Sequence, residues 1–316
     1  MSNKAFILIC ALVAAALIGL NPLLTNDYFF SAAYTVLLYV VLSTAWNILG
    51  GYTGYVNFGT AGFFAIGVYT SVALYKAFKA PLPLMIVAGT VVAGVAGIGV
   101  GYLTMRLRGH YFAIATLALA VMLFTFVINW DYAGGARGAY VIAPREAPFG
   151  LGHYIRFLYA IMVVLAAIAI AVARGIEHSK LGRGLAAIRD DELAAECAGV
   201  PTLRLKLIST AISGGLMGLA GTTFPLFISF VEPTSAFSLS YAVNAIAMPV
   251  IGGMNSWLGP LIGALLLGTV QQVVQVTISS AWNLLIVGVL LVLFVTLAPS
   301  GIMGWMRGRQ RRGRSS

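Results

Sequence analysis

Residues 177–206, EHSKLGRGLAAIRDDELAAECAGVPTLRLK, concentrate the ionisable chemistry of the chain. Glu177, Asp190, Asp191, Glu192 and Glu196 are five of its nine acidic residues. Six basic residues lie in or just before the same stretch: Arg174, Lys180, Arg183, Arg189, Arg204 and Lys206. A polar, helix-forming loop between long apolar runs offers recognition chemistry, a docking surface for another protein. Its plainer reading is a solvated helix. Enzymatic chemistry lacks its residues. No lysine follows a glycine, so the phosphate-holding Gly-Lys-Ser/Thr loop is missing. The zinc pattern His-Glu-x-x-His and the Gly-x-Ser-x-Gly nucleophile turn are missing too. His110, His153 and His178 are scattered near the ends of apolar runs. Cys10 and Cys197 stand in such different settings that neither pairing nor metal ligation is expected. The chain is therefore expected to hold no cofactor and to catalyse no reaction.

The elements around the loop follow from composition. The chain is 60% hydrophobic and 9% charged, against roughly 25% charged in soluble domains. Apolar runs of about 18 residues or more read as membrane helices. Such runs fall near 5–23, 30–49, 55–75, 82–105, 111–129, 156–173, 206–229, 258–277 and 282–299. A shorter run at 239–251 reads as a span, half a helix or a re-entrant segment. The fold class is all-α polytopic membrane protein, with about 8–10 transmembrane helices including broken or re-entrant segments. Residues 5–20 resemble a signal peptide, but no small-x-small cleavage site follows, so they read as an uncleaved first span.

Basic residues orient the map. With the N-terminus in the cytoplasm, fourteen lysines and arginines lie inside and five outside, as the positive-inside rule requires. Both termini and the 177–206 loop then face the cytoplasm. Residues 1–300 read as one membrane domain and 301–316 as a basic tail. The net charge of +10 does not indicate nucleic acid, because the arginines of the tail directly follow an apolar run and suit anionic lipid. The loop at 130–155 lies outside, as an ordinary solvated loop or as a gate or landing surface.

No span interior carries an ionisable side chain by these boundaries, which weakens a proton-driven mechanism. Sodium coupling through carbonyls and hydroxyls stays open. Two glycine-rich breaks, 45–67 and 244–268, stand one in each half and suggest an internal repeat, or simply close helix packing. Asn47, Tyr52, Asn57, Asn244, Gly252 and Gly253 are candidates for a polar translocation path, with structural hydrogen bonding as the alternative for each asparagine. Gln271, Gln272 and Gln275 are expected at an interface or outer vestibule.

Within the loop, 183–198 has good helix formers, and Gly199 and Pro201 stop the helix. Leu185, Ile188 and Leu193 give an apolar side that one helix, or two short ones, could insert into a groove on a soluble partner. With no P-loop in this chain, a separate ATPase is the natural partner.

Four segments carry a family resemblance: AWNILGGYTGYVNFG (45–59), RGHYFAIATLALA (108–120), GRGLAAIRDDELAAECAGV (182–200) and PVIGGMNSWLGPLIGA (249–264). Together they resemble the LivM-type permease subunit of branched-chain amino acid ABC importers, over about residues 30–300. The resemblance implies a paired homologous permease, two ATPase subunits that bind ATP and magnesium, and an external solute-binding protein. It implies an ATPase-coupling loop at Arg183, Arg189, Asp190, Asp191, Glu192, Ala195 and Gly199. It also implies residence in the bacterial inner membrane, with the flanking lysines and arginines as membrane-surface anchors. Urea, short amides, nucleosides or aromatic acids are alternative solutes of the same family. A self-contained ion-coupled carrier is the alternative from another class.

Overall fold

Long runs of apolar residues satisfy their backbone groups internally by coiling, because hydrocarbon offers no other partner. In a computed structural model the chain accordingly forms fourteen α-helices among the described residues. The structure describes residues 3–19, 26–104, 107, 109–142, 153–277, 282–297 and 301–304. The basic tail expected at Arg307–Arg314, along with Arg106, Arg108 and Arg145, lies outside them.

The membrane-length helices are α2 (Asp27–Thr53), α3 (Thr60–Phe78), α4 (Leu82–Thr104), α5 (His110–Ile128), α6 (Tyr154–Glu177), α9 (Thr202–Thr222) and α13 (Leu258–Thr277). The five-residue α10 (Phe224–Ile228) continues α9 past a break at Thr223, and α11 (Pro233–Ala236) leads into α12 (Leu239–Gly252). Counting each broken pair once gives eight helices long and apolar enough to cross a membrane among the described residues. Two shorter apolar helices, α1 (Asn3–Gly19) and α14 (Trp282–Leu297), flank them. The polar loop folds into α7 (Lys180–Asp190) and α8 (Glu192–Cys197).

Helix α2 is the axis of the bundle. Every residue from Val40 to Thr53 is buried. The outward faces of α4 and α5 carry exposed Val87, Val91, Val95, Ile114, Val121 and Phe126, a surface suited to lipid. Between α12 and α13 the approach is so close that side chains are excluded. A Cβ on Gly252 would fall 1.8 Å from the Gly259 carbonyl oxygen, and one on Gly263 would fall 1.8 Å from that of Met248. The second glycine-rich break therefore serves close helix packing.

Two ends of the bundle can be told apart. One, the loop end, holds α7, α8 and the turns between α2 and α3 and between α12 and α13. At the far end, residues 131–137 form two short 3-10 turns, and β1 (Ala139–Tyr140) pairs antiparallel with β2 (Phe230–Val231). The loop at 130–155 is therefore no simple solvated loop over its described part. Its strand is fixed to the connection after α10, and Ala133, Ala139 and Val141 are buried. Helix α12 starts at the far end, where Phe237 packs against Phe124 of α5, and ends beside α7. The 239–251 segment thus runs from one end of the bundle to the other. Its 14 residues span only about 21 Å, and α11 supplies part of the remaining depth.

The packing predicts a contrast between two glycines. Gly263→Ala should lower the thermal midpoint of the detergent-solubilised protein, by an overpacking cost of roughly 1–3 kcal/mol. Gly99→Ala should leave it unchanged, since nothing lies within 4 Å of its new methyl group. Equal midpoints for the two variants would refute the close crossing.

Candidate functional site

The loop sequence breaks into two helices at Asp191. This residue has extended backbone (φ −159°, ψ 113°) and closes α7 while opening α8. Its carboxylate accepts the backbone N–H groups of Leu193 (2.9 Å) and Ala194 (3.1 Å), an N-cap worth about 1 kcal/mol. Ser179 caps α7 in the same way, accepting Gly182 N–H at 3.2 Å. Gly199 ends α8 in the left-handed region (φ 82°), and Val200 N–H reaches back to the Ala195 carbonyl at 3.0 Å. That is the glycine stop read from the sequence.

Three polar tethers bind this loop to the bundle. The innermost is a buried ion pair. Glu192 Oε1 lies 2.7 Å from Lys206 Nζ, with the two side chains 14% and 3% exposed. The Tyr55 hydroxyl donates to Glu192 Oε2, and Lys206 Nζ donates back to Tyr55 Oη at 3.3 Å while lying 4.8 Å over its ring. The second tether is Glu177. Its Oε2 accepts the Trp257 backbone N–H at 2.7 Å and lies 3.3 Å from the Tyr52 hydroxyl, which also reaches the Ala173 carbonyl. The third is Arg189. Its Nη1 donates to Asn255 Oδ1 at 2.8 Å, and its stem lies against Gly54. Gly54 has φ 78°, so glycine is needed there both for the turn and for the room.

Each tether ends on a glycine-rich turn or on the helix beside one. Tyr52 lies in the last turn of α2, Gly54 and Tyr55 in the turn between α2 and α3, and Asn255 and Trp257 in the turn between α12 and α13. The loop thus clasps both turns at once. Nearby, Arg174 stacks over Phe6 (4.0 Å) and Trp257 (5.5 Å), which ties α1 into the same corner.

Several expectations need correction here. Lys206 is no surface anchor. Helix α9 starts at Thr202, earlier than the apolar run suggests, and Lys206 is 2% exposed. A span therefore does contain a buried charge, tolerated because Glu192 supplies the counter-charge. Arg174 and Arg189 are likewise engaged with protein. Nor do Leu185 and Ile188 form an insertable side. They are 0% and 3% exposed and pack back into the bundle. The surface left for a partner is Leu193, 58% exposed, with exposed Ala194, Cys197, Ala198 and Gly199 and the charges of Arg183 and Asp190 at its rim. Ala195 is buried beneath α8.

The translocation candidates divide between two places. Asn57 Oδ1 accepts Gly59 N–H at 2.7 Å, and the Asn57 carbonyl accepts Trp46 Nε1–H at 2.8 Å. It lies at the loop end, as do Tyr52 and Gly252 at the ends of α2 and α12 and Gly253 just beyond. Asn47 is 1% exposed, and neither atom of its amide has a hydrogen-bond partner among the described residues. Asn244 stands apart, deeper in the bundle. It donates to Tyr39 Oη (3.3 Å) and accepts from Gln271 Nε2 (2.7 Å). Gln271, expected at an interface or outer vestibule, is 3% exposed and internal. No sequence signal marked Lys206, Tyr39 or Gln271 as partners: the Tyr39–Asn244 pairing spans 205 residues, and the nearer Glu192–Lys206 and Asn244–Gln271 pairs have no helical or strand spacing that would announce them.

The structure defines a polytopic helical membrane protein whose clustered charges clasp two turns at one end. Residues 28–295 match the family described as branched-chain amino acid transport system / permease component, and the chain belongs to that family. It is similar to the high-affinity branched-chain amino acid transport system permease protein LivM of Salmonella typhimurium, 26% identical over 332 residues, covering 97% of this chain and 76% of that protein. It is also similar to the corresponding LivH protein of Escherichia coli, 23% identical over 282 residues, covering 84% and 91%. The ribose import permease protein RbsC of Haemophilus influenzae is 28% identical over 230 residues, covering 69% of this chain and 68% of that protein. No solved structure matches the chain.

The ion pair gives a direct test. Glu192→Gln leaves the Lys206 ammonium buried without its counter-charge and should cost about 3–5 kcal/mol. Glu192→Leu combined with Lys206→Met should recover most of that loss, and Asp190→Ala should cost almost nothing. Thermal midpoints of the four proteins in detergent decide it. A double variant no better than Glu192→Gln would contradict the pairing.

Proposed function

We propose that this chain is the permease subunit of an ATP-driven ABC importer that moves branched-chain amino acids, or related small solutes, into the cytoplasm by alternating access. The observation that carries this reading is the clasp: an exposed helical surface wired through three polar tethers to both glycine-rich turns. Such a surface is where energy made elsewhere can enter a chain that has no nucleotide-binding loop. The partners are two ATPase subunits, which bind ATP and magnesium and press on Leu193 and its neighbours, and an external solute-binding protein. A second, homologous permease completes the membrane unit, as the similarity to both LivM and LivH proteins supports. The assembly lies in the bacterial inner membrane, with the loop and both termini on the cytoplasmic side. Family membership, the basic-residue bias and the exposed α8 surface together support this arrangement.

Two measurements test the reading. In proteoliposomes holding the full set of subunits, Leu193→Asp should abolish ATP-driven leucine uptake and ATPase association while the thermal midpoint stays unchanged. Uptake by the chain alone, with no ATPase or second permease, would refute the importer reading. For orientation, Cys197 is exposed in the loop and serves as a native probe. A membrane-impermeant maleimide should label it in inverted vesicles and spare it in spheroplasts, with a Cys10→Ala background as control. Labelling in spheroplasts would reverse the assigned topology.

A further inference from the structure

At the far end of the bundle, α2, α10, α12 and α13 line an open cavity of about 590 Å³. Its walls present Ser31, Thr35 and Tyr39 from α2, Tyr241 from α12, and Gln272 and Gln275 from α13. Polar and aromatic side chains share this lining, and none of those described carries a charge. Hydroxyls and amides of this density within membrane-spanning helices do not belong against acyl chains. A neighbouring groove shares Tyr28 and Gln272 with it but is otherwise lined mostly by apolar residues such as Leu17, Phe29, Val36 and Leu265. The polar cavity needs a polar occupant.

Tyr39, in the cavity wall, is anchored by a chain of buried hydrogen bonds. Tyr39 lies twelve residues into α2, about 18 Å below Asp27. Its hydroxyl accepts from Asn244, whose Oδ1 accepts from buried Gln271. Beside it, the Tyr34 and Thr223 hydroxyls share a 2.8 Å hydrogen bond at the break between α9 and α10. The chain of bonds therefore joins α2, α12 and α13, three helices that converge again on the clasp at the loop end.

We propose that this cavity is the solute site of the permease, that it accepts a small solute of zero net charge with an apolar body, and that the Tyr39–Asn244–Gln271 chain anchors its wall. The inference rests on the importer reading and names the site and the solute class for it. Phenol hydroxyls and amides donate and accept, so they serve both charges of a zwitterion or the hydroxyls and amides of a neutral solute. The aromatic rings of Tyr241, Phe224 and Phe227 cover an aliphatic body. A solute with an unpaired side-chain charge meets no counter-charge in the lining and is rejected by its desolvation cost.

The test uses the complete importer, with its binding protein, second permease and ATPases, in proteoliposomes loaded with ATP. Radiolabelled leucine is the solute, and Cys10→Ala with Cys197→Ala is the background. Ile228→Cys, an apolar rim position outside the polar lining, should keep uptake, and filling the cavity with benzyl methanethiosulfonate at that cysteine should then cut it by about tenfold or more. Gln275→Glu, which lines this cavity and not the neighbouring groove, should lower leucine uptake by about tenfold while subunit yield and ATPase activity stay at the background level. Uptake that persists with the cavity filled, or that ignores the new carboxylate, overturns the site. Absence of ATP-driven uptake of leucine, ribose and urea by the background importer overturns the importer reading itself, and the site with it.

Discussion

A lysine ammonium taken out of water must keep a counter-charge, and the loop end of this protein is arranged around that requirement. Lys206 sits in the second turn of α9 with 3% of its side chain exposed, and Glu192 is its partner. Separating them would strand a charge in an environment that solvates it poorly. Helix α8, which carries Glu192, is therefore held against the bundle, and Tyr55 extends the hold to the turn after α2. With α8 seated in this way, Ala195 is buried beneath it and Leu193 is displayed outward. Removing the pair for two apolar residues would spare stability and lose the fixed seat.

Charge chemistry is kept to the ends of the bundle, and the middle is organised by small residues and neutral polar groups. Helix α2 links the two regimes. Tyr52 takes part in the clasp, and Tyr39, thirteen residues earlier and about 20 Å away, lies in the cavity wall. Helices α12 and α13 make the same connection, from the Asn255–Trp257 turn to Asn244 and Gln271. Because their crossing leaves no room for a methyl group, the pair has little freedom to shear and transmits displacement as a unit. Helices α2, α12 and α13 thus join the loop end to the far cavity.

The spans were legible because twenty-residue apolar runs have few other structures open to them. The loop helix and its stop at Gly199 were legible because capping chemistry is local: Asp191, Gly199 and Pro201 each act on their own neighbours. What stayed hidden was every pairing across the sequence. Glu192 and Lys206 both stood in the charged stretch, yet nothing in their spacing distinguished a buried pair from two solvated charges. The inward side of α7 is hidden for the same reason, since the apolar face of a short helix does not say which apolar surface it meets. Gln271 was misplaced because its two polar neighbours suggested an exposed end, while its own turn of α13 points at Asn244. The strand pairing of Ala139 with Val231 had no local signal beyond ordinary loop residues.

The central claim is that loop and turns move as one body. It is tested by tethering Arg189→Cys to Asn255→Cys, in a background of Cys10→Ala and Cys197→Ala, with a methanethiosulfonate cross-linker that spans the native Arg189–Asn255 contact. Initial rates of ATP-driven leucine uptake by the complete importer in proteoliposomes are compared before and after cross-linking, and again after reduction. Uptake within about twofold of the uncross-linked rate is the predicted result, since the tether replaces a contact kept throughout the cycle. Abolished uptake that reduction restores would show that the loop slides over the turn, and would contradict the account.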